Sequence, residues 1–319
     1  MIKVSATFLD EISWDIPHQN WGYEEWDKDF EAMKKAGINT VVLIRAGLRR
    51  WLAYPSKMLH EKMGCAIPET DLIDLFLTLA EKHDMRFFMG MYCSCYYPEN
   101  NMWEEEAALN CEVVQELWDM YGHRKAFKGW YISHEISARL GKYVDIYVKI
   151  SDLCKKLSGN LPIMISPWIK GNKVNSAWDP RTVNNEQKAI TPIEHEEEWR
   201  IIFSALKGKV DIVAFQDGQP DIFQLQDYLH VNKKLCDEFG FECWTNCESF
   251  DRDMPIKFLP IKWEKMLFKL RAAEAEGFTD AITFEFSHFM SPNSVYGAAH
   301  GLYKRYMEYL AKEKAKSGK

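Results

Sequence analysis

The chain has 319 residues, 47% of them apolar and 27% charged, with a net charge of −7. That length and balance exclude a disordered chain and a disulfide-stapled mini-protein, and they suit one α/β barrel. The acidic balance gives no reason to expect nucleic acid or an anionic membrane as a partner, and no stretch approaches the ~18 apolar residues of a membrane span.

The first run, Met1-Ile2-Lys3-Val4-Ser5-Ala6-Thr7-Phe8, is strand-like. It lacks the basic and apolar regions of a secretory leader, so a cytoplasmic location is expected. Strand one at 2–9 precedes a helix at 24–36, where Trp26, Phe30 and Met33 share a face. Strand two at 39–45 precedes a helix at 70–83, with Leu72, Leu75, Phe76 and Leu79 at helical spacing. Strand three runs from Arg86 to Tyr92, with a helix at 103–121, and strand four spans 127–133, with a helix at 136–157. Strand five is 161–166, followed by a long polar loop and a helix at 193–206; strand six is 210–215, with a helix at 220–238. Strand seven is 241–246, with a helix at 262–276, and strand eight is 281–286, with a last helix at 294–314.

Gly37, Gly122, Gly240 and Gly277 each close a helical stretch just before a strand, as left-handed C′ residues do. Eight βα units without an internal linker predict a single (β/α)8 TIM barrel over 1–319, with 315–319 as a disordered tail. A doubly wound sheet would be expected to carry a Gly-rich phosphate fingerprint after a strand, and none follows any strand here. The loops after strands, at 9–23, 93–102, 167–192 and 248–261, are long, as on a barrel's active face.

Eight cysteines lie at 65, 93, 95, 111, 154, 236, 243 and 247. In a chain of this size they read as free, mostly buried thiols. Cys93 and Cys95 alternate on a strand and so should face opposite ways, and Cys243 and Cys247 lack paired CxxC spacing. No metal site and no cofactor are expected.

The strand ends converge on one mouth and are polar. Strand one delivers Asp10 and Glu11, strand two Arg45, strand three Tyr92, and strand four His134 and Glu135. Strand five delivers Ser166 and Trp168, strand six Gln216 and Asp217, strand seven Asn246 and Glu248, and strand eight Glu285 and His288. Such groups are costly to bury unless they bind one another or a polar ligand such as a sugar. Glu135 and Glu248, on different strands, form the carboxyl pair that glycoside hydrolysis requires. Trp244, Asn246 and Glu248 alternate onto one side of an extended strand, combining a stacking surface, an amide and a carboxylate. Each residue also has a structural reading. Glu135 would favour the N-terminus of the following helix, Glu248 would pair with Arg252 at the surface, Asp217 would be turn chemistry, and Glu285 would pair with Arg45.

The segments Thr7-Phe8-Leu9-Asp10-Glu11, Gly129-Trp130-Tyr131-Ile132-Ser133-His134-Glu135-Ile136, Phe215-Gln216-Asp217-Gly218, Trp244-Thr245-Asn246-Cys247-Glu248-Ser249-Phe250 and Phe286-Ser287-His288-Phe289-Met290-Ser291-Pro292 span nearly the whole chain. Through them the chain resembles a family of TIM-barrel domains of unknown function, common in gut bacteria and grouped with glycosidase-like barrels. It also resembles, more distantly, the clan A glycosidases. That likeness implies an acid/base glutamate after strand four and a nucleophile after strand seven, the places of Glu135 and Glu248. His134 departs from it, standing where clan A enzymes carry Asn.

The leading expectation is a glycoside hydrolase acting on oligosaccharides with retention, Glu135 serving as acid/base and Glu248 as nucleophile. The other site residues would contact the carbohydrate. A metal-dependent sugar isomerase or epimerase recruiting Glu135, Asp217, Glu248, Glu285 and His288 is one alternative. A carbohydrate-binding barrel without catalysis is the other.

Overall fold

Eight parallel strands close into a barrel in the computed structural model, which describes residues 1–14, 16–171, 189–252 and 258–317. They are β1 (Lys3–Leu9), β2 (Thr40–Leu43), β3 (Arg86–Gly90), β4 (Phe127–Tyr131), β5 (Ile163–Ile165), β6 (Ile212–Gln216), β7 (Glu242–Asn246) and β8 (Asp280–Thr283). Each pairs with its neighbours in sequence, and β8 closes on β1 through Lys3 opposite Asp280 and Thr7 opposite Thr283. The helices between them are α1 (Tyr23–Lys35), α2 (Leu72–Lys82), α3 (Trp103–Tyr121), α4 (Tyr143–Ser158), α5 (Pro192–Leu206), α6 (Leu225–Phe239) and α7 (Trp263–Ala275), with α8 (Gly297–Ser317) last. The predicted TIM barrel is therefore the fold. Among the described residues no helix is long and apolar enough to cross a membrane.

Strands buried on both faces need apolar residues at successive positions, and period two divides these between two cores. Ala6, Phe8, Val42, Ile44, Phe88, Tyr131, Met164, Ile212, Ala214, Trp244 and Ile282 fill the barrel interior. Their neighbours in sequence, among them Val41, Phe87, Trp130, Val213 and Ala281, face the helices. Trp244 is thus a layer of the inner core, with its ring N–H donated to the Glu242 carboxylate at 2.7 Å. The alternation with Asn246 is real, but the lower position of that strand face points into packed core, not toward a ligand.

Several elements depart from expectation. The helix expected from 136 begins only at Tyr143, leaving 132–142 as loop, with Gly141 at φ +48 breaking the helical run. Gly37, Gly240 and Gly277 take positive φ as expected, whereas Gly122 stays right-handed at φ −60. The loop after β2 holds two short strands, Gly47–Leu48 and Trp51–Leu52, and a helix, Lys57–Met63, all too short to show a period in sequence. Tyr92–Cys93 joins those strands in a three-stranded sheet outside the barrel. The last helix runs to Ser317, so the described part of the expected tail is helical. Much of the expected loops 167–192 and 248–261 lies outside the described residues. All eight cysteines are free, six of them buried.

Truncating a fully packed aromatic inside a barrel removes its burial and leaves a cavity. Trp244→Ala should therefore cost about 3–5 kcal/mol of stability, measured by denaturant unfolding. A loss below about 1 kcal/mol would return Trp244 to the candidate ligand surface.

Candidate active site

Above the C-terminal ends of the strands lies a cavity of about 390 Å³. Its floor is the top of the inner core, Phe8 and Ile44. Of the expected site residues, Asp10, Arg45, Glu135, Trp168, Gln216, Asn246 and Glu248 line it. The two glutamates read as the reacting pair therefore share one cavity. Trp14, Trp168, Phe250, Phe258 and Phe284 give it aromatic walls, and Trp14 is 67% exposed. Trp14 and the ring cluster after strand seven escape sequence reading, because an aromatic residue in a loop looks the same whether it lines a wall or plugs a core.

Glu135 stands four residues beyond the end of β4, in a loop secured by Ile132, whose amide extends the ladder to the Met164 carbonyl at 3.0 Å. It lies well before the start of α4, so the helix-terminus reading of this residue does not hold. Its carboxylate is 3.5 Å from the Arg45 guanidinium and is hydrogen-bonded by Gln216. Burial pushes its pKa above the usual carboxylate value, and the charge of Glu248 adds to the rise, with Arg45 pulling the other way. Gln216 also donates to the Ser166 carbonyl at 2.9 Å, which fixes the amide facing Glu135.

Glu248 is almost fully buried, in the turn just after β7. Asp217 accepts its backbone N–H at 3.1 Å, and Lys269, from α7, donates to its carbonyl at 2.8 Å. Lys269 also meets the Asp217 carboxylate at 2.6 Å. Asp217 is thus a positioning residue of Glu248 and does not line the cavity. Burial pushes it up to about 6, against the pull of Lys269. The Glu248 carboxylate takes two hydrogen bonds from Arg252, at 2.8 and 2.6 Å. The Arg252 pairing expected at a surface therefore exists, but inside the cavity wall. Gly218 makes room for it, because a Cβ there would stand 1.7 Å from Glu248 Oε2 and 2.4 Å from Arg252 Nε. Lys269 could have been suspected from sequence, since it interrupts the apolar face of α7 made by Met266, Leu270 and Ala273.

The remaining expected site residues fall elsewhere. Tyr92 is turned away on the outer sheet, donating to the Arg49 carbonyl at 2.5 Å. His134 is buried behind Glu135, 2.7 Å from Glu106 Oε1. Burial would raise Glu106, but His134 and the Ser94 hydroxyl and amide outweigh it and hold that carboxyl low. Glu285 pairs with His288, not with Arg45, in a sealed group that Glu11 approaches at 3.8 Å. Burial would lower His288, but the carboxylates of Glu285 and Glu11 carry it up to about 9, and burial lifts Glu11 to about 7. Neither Glu11, Glu285 nor His288 lines the cavity. Cys93 and Cys95 do not face opposite ways: both line an adjoining cavity, because Cys95 leaves the strand with φ +58.

Of the set that an isomerase would recruit, Glu135 and Glu248 share the cavity, and Asp217, Glu285 and His288 stand outside it. Asp217 and Glu248 are held by Lys269 and Arg252, and Glu285 and His288 form a separate buried group. Among the described residues no three His, Cys, Asp or Glu side chains are arranged to hold a metal ion. Two cavity-lining residues, Asp10 and Asn246, each keep one buried oxygen without a protein donor.

Residues 4–296 match the family described as "Domain of unknown function (DUF4434)". A crystal structure from Bacteroides thetaiotaomicron VPI-5482, of a protein called a "putative alpha-L-fucosidase", is similar at 50% identity and TM-score 0.90, covering 96% of this chain and 92% of that one. An endo-1,4-beta-D-mannanase from Thermotoga petrophila RKU-1 shares the fold at 11% identity and TM-score 0.53, over 88% of this chain and 87% of that one. A GH18 chitinase from Pseudoalteromonas aurantia shares it at 8% identity and TM-score 0.53, over 96% and 98%. No protein of curated function matches the chain.

The Lys269–Asp217 pair generates a pH-dependent expectation. Asp217 is raised from 3.8 to about 6, so its contribution to stability is present below 3.8 and lost as pH rises through 6. Lys269 limits that loss. Lys269→Met should lower stability by about 3 kcal/mol at about pH 8, the cost of a buried carboxylate without its cation. The gap should narrow by at least half at about pH 5, where Asp217 keeps its proton. Denaturant unfolding at the two pH values checks this, and a gap that ignores pH would uncouple the two residues.

Proposed function

The chain belongs to the DUF4434 family, whose description names no chemistry, and from the site itself we propose that it is a glycoside hydrolase. One observation carries this reading. Two carboxylates from different strands face a single aromatic-walled cavity, and one of them, Glu135, is driven toward its protonated form by burial and by the other's charge. This is the asymmetry that splits a carboxyl pair into an acid and a nucleophile or base.

In this reading Glu135 protonates the leaving oxygen while Glu248 attacks the anomeric carbon, and Glu135 then takes a proton from the incoming water. Retention of configuration follows from that sequence. Arg45 and Gln216 hold Glu135 in place, Asp10 accepts from ring hydroxyls, and Asn246 hydrogen-bonds them. Trp14 and Trp168 stack on the apolar face of the ring. A cavity of about 390 Å³ suits one or two sugar residues, a terminal sugar and the start of its aglycone. The 50% identical Bacteroides protein supports L-fucose as the first sugar to try. Small oligosaccharides are the favoured substrate class.

A second reading has its own support. Both oxygens of Glu248 are engaged by Arg252, so attack requires that one of those hydrogen bonds give way to the sugar. If the pair never opens, the barrel binds carbohydrate without turning it over.

Aryl glycosides, beginning with 4-nitrophenyl α-L-fucoside, separate the two. The wild-type protein should release nitrophenol, and the first sugar formed should keep its anomeric configuration by proton NMR. Glu248→Gln should lower kcat by at least about 10³-fold with sugar binding intact. Glu135→Gln should lose most activity toward natural, poorly activated leaving groups and less toward nitrophenol. The alkaline limb of kcat/KM should lie above the ordinary carboxylate range, falling as Glu135 loses its proton, and should vanish in Glu135→Gln. Sugar binding with no turnover across the panel would favour the second reading, and turnover unchanged in Glu135→Gln would remove it from the mechanism.

A further inference from the structure

Beside the cavity that holds Glu135 are two more. The first, about 280 Å³, shares Arg45, Leu48, Glu135 and Trp168 with it and continues past Cys95. The second, about 420 Å³, begins at Cys95 and is walled by Arg49, Arg50, Lys62, Tyr96 and Tyr97. Cys95 lies on the walls of all three, so the cavities form one groove leading away from Glu135.

The far end of the groove is positive in a chain of net charge −7. Three cations stand on its wall against a single carboxylate, Glu99. Lys62 is engaged by Glu112, outside this wall. Arg49 reaches Glu99 at 3.5 Å, with both side chains more than half exposed, a geometry in which solvent leaves little attraction. Arg50 is exposed and makes no ion pair or side-chain hydrogen bond with any described residue. The sequence places these two arginines at the tip between Gly47–Leu48 and Trp51–Leu52, where both are exposed. Tyr96 lines this end of the groove, is 56% exposed and meets Tyr97 edge-on at 5.5 Å.

The Arg50 guanidinium, the exposed Arg49–Glu99 pair and an exposed tyrosine together match a sugar that carries a charged substituent. The planar fork fits a sulfate or carboxylate in two-point contact, and the tyrosine covers the apolar side of the ring. Resting on the reading of the Glu135 cavity as the reacting subsite, we propose that the Arg49–Arg50–Tyr96 end of the groove is a second sugar subsite, selecting oligosaccharides that bear a sulfate or a uronate carboxylate beyond the reacting residue. Glu99 acts there as an internal competitor that the incoming anion displaces from Arg49.

The test uses the full chain carrying Glu135→Gln, so that turnover cannot deplete the probes. The probes are a matched set of disaccharides bearing sulfate only, uronate only, both or neither, titrated by calorimetry at about 0.15 M ionic strength. At least one charged member should bind ten-fold or more tighter than the neutral one, and the sulfate and uronate arms show which group is read. Arg50→Ala should reduce that preference, read as the ratio of charged to neutral affinity, at least five-fold. Glu99→Gln should strengthen binding of the charged member, a gain that general damage to the loop could not produce. Equal binding of charged and neutral members, no binding by any charged member, or a preference untouched by Arg50→Ala would each overturn the proposal. Charge preference in a protein that hydrolyses none of the aryl glycosides would remove the hydrolase reading and leave this subsite standing.

Discussion

A buried ammonium group holds the candidate site in shape. Lys269 enters from α7 beneath the turn after β7, where it meets the Asp217 carboxylate and the Glu248 carbonyl. A lysine in that environment is retained only because both partners compensate the loss of water. Through Asp217, which receives the Glu248 amide, the same contact reaches back to the end of β6. The orientation of Glu248 is therefore set by two strands and a helix together, and its carboxylate is steadied from the other side by Arg252. A catalytic or ligand-binding carboxylate needs that kind of support, because its own χ angles would otherwise scatter it over several rotamers.

Charge is handled differently on the two sides of the barrel mouth. On the β7 side each acid has a full cation within hydrogen-bonding reach, Lys269 for Asp217 and Arg252 for Glu248. On the β4 side the Arg45 guanidinium stands 3.5 Å from Glu135, which also takes the Gln216 amide, and behind it His134 pairs with the buried Glu106. The third acidic group, Glu285 with His288 and Glu11, is sealed between β8 and the loop after β1 and does not border the cavity. Three clusters that look alike in sequence thus stand in three places: one is held by two cations, one lines the cavity beside Arg45, and one is buried away from it.

Much of this was legible from the chain, for reasons that also explain the misses. Glu135, Gln216 and Asn246 follow apolar runs whose period two is dictated by burial on both faces, so their place at the strand ends could be read without coordinates. Trp244 has the same period but sits one layer lower, and alternation alone carries no information on depth. Tyr92 lies off the barrel mouth because the barrel strand ends at Gly90, and Tyr92 and Cys93 pair instead with an outer hairpin too short to show any pattern. Arg252 was visible only as a neighbour in sequence. That it should lie inside the wall depends on Gly218 of a different strand end having no side chain, a relation between distant segments that a local reading does not contain.

Phe8 and Ile44 belong at once to the cavity floor and to the uppermost layer of the barrel's inner core. Selection that reshapes this floor to admit a bulkier ligand must therefore thin the same packing that keeps the cylinder closed. The aromatic loops around the rim are not under that restraint, so divergence in what members of this lineage recognise should accumulate at the rim while the base stays nearly invariant.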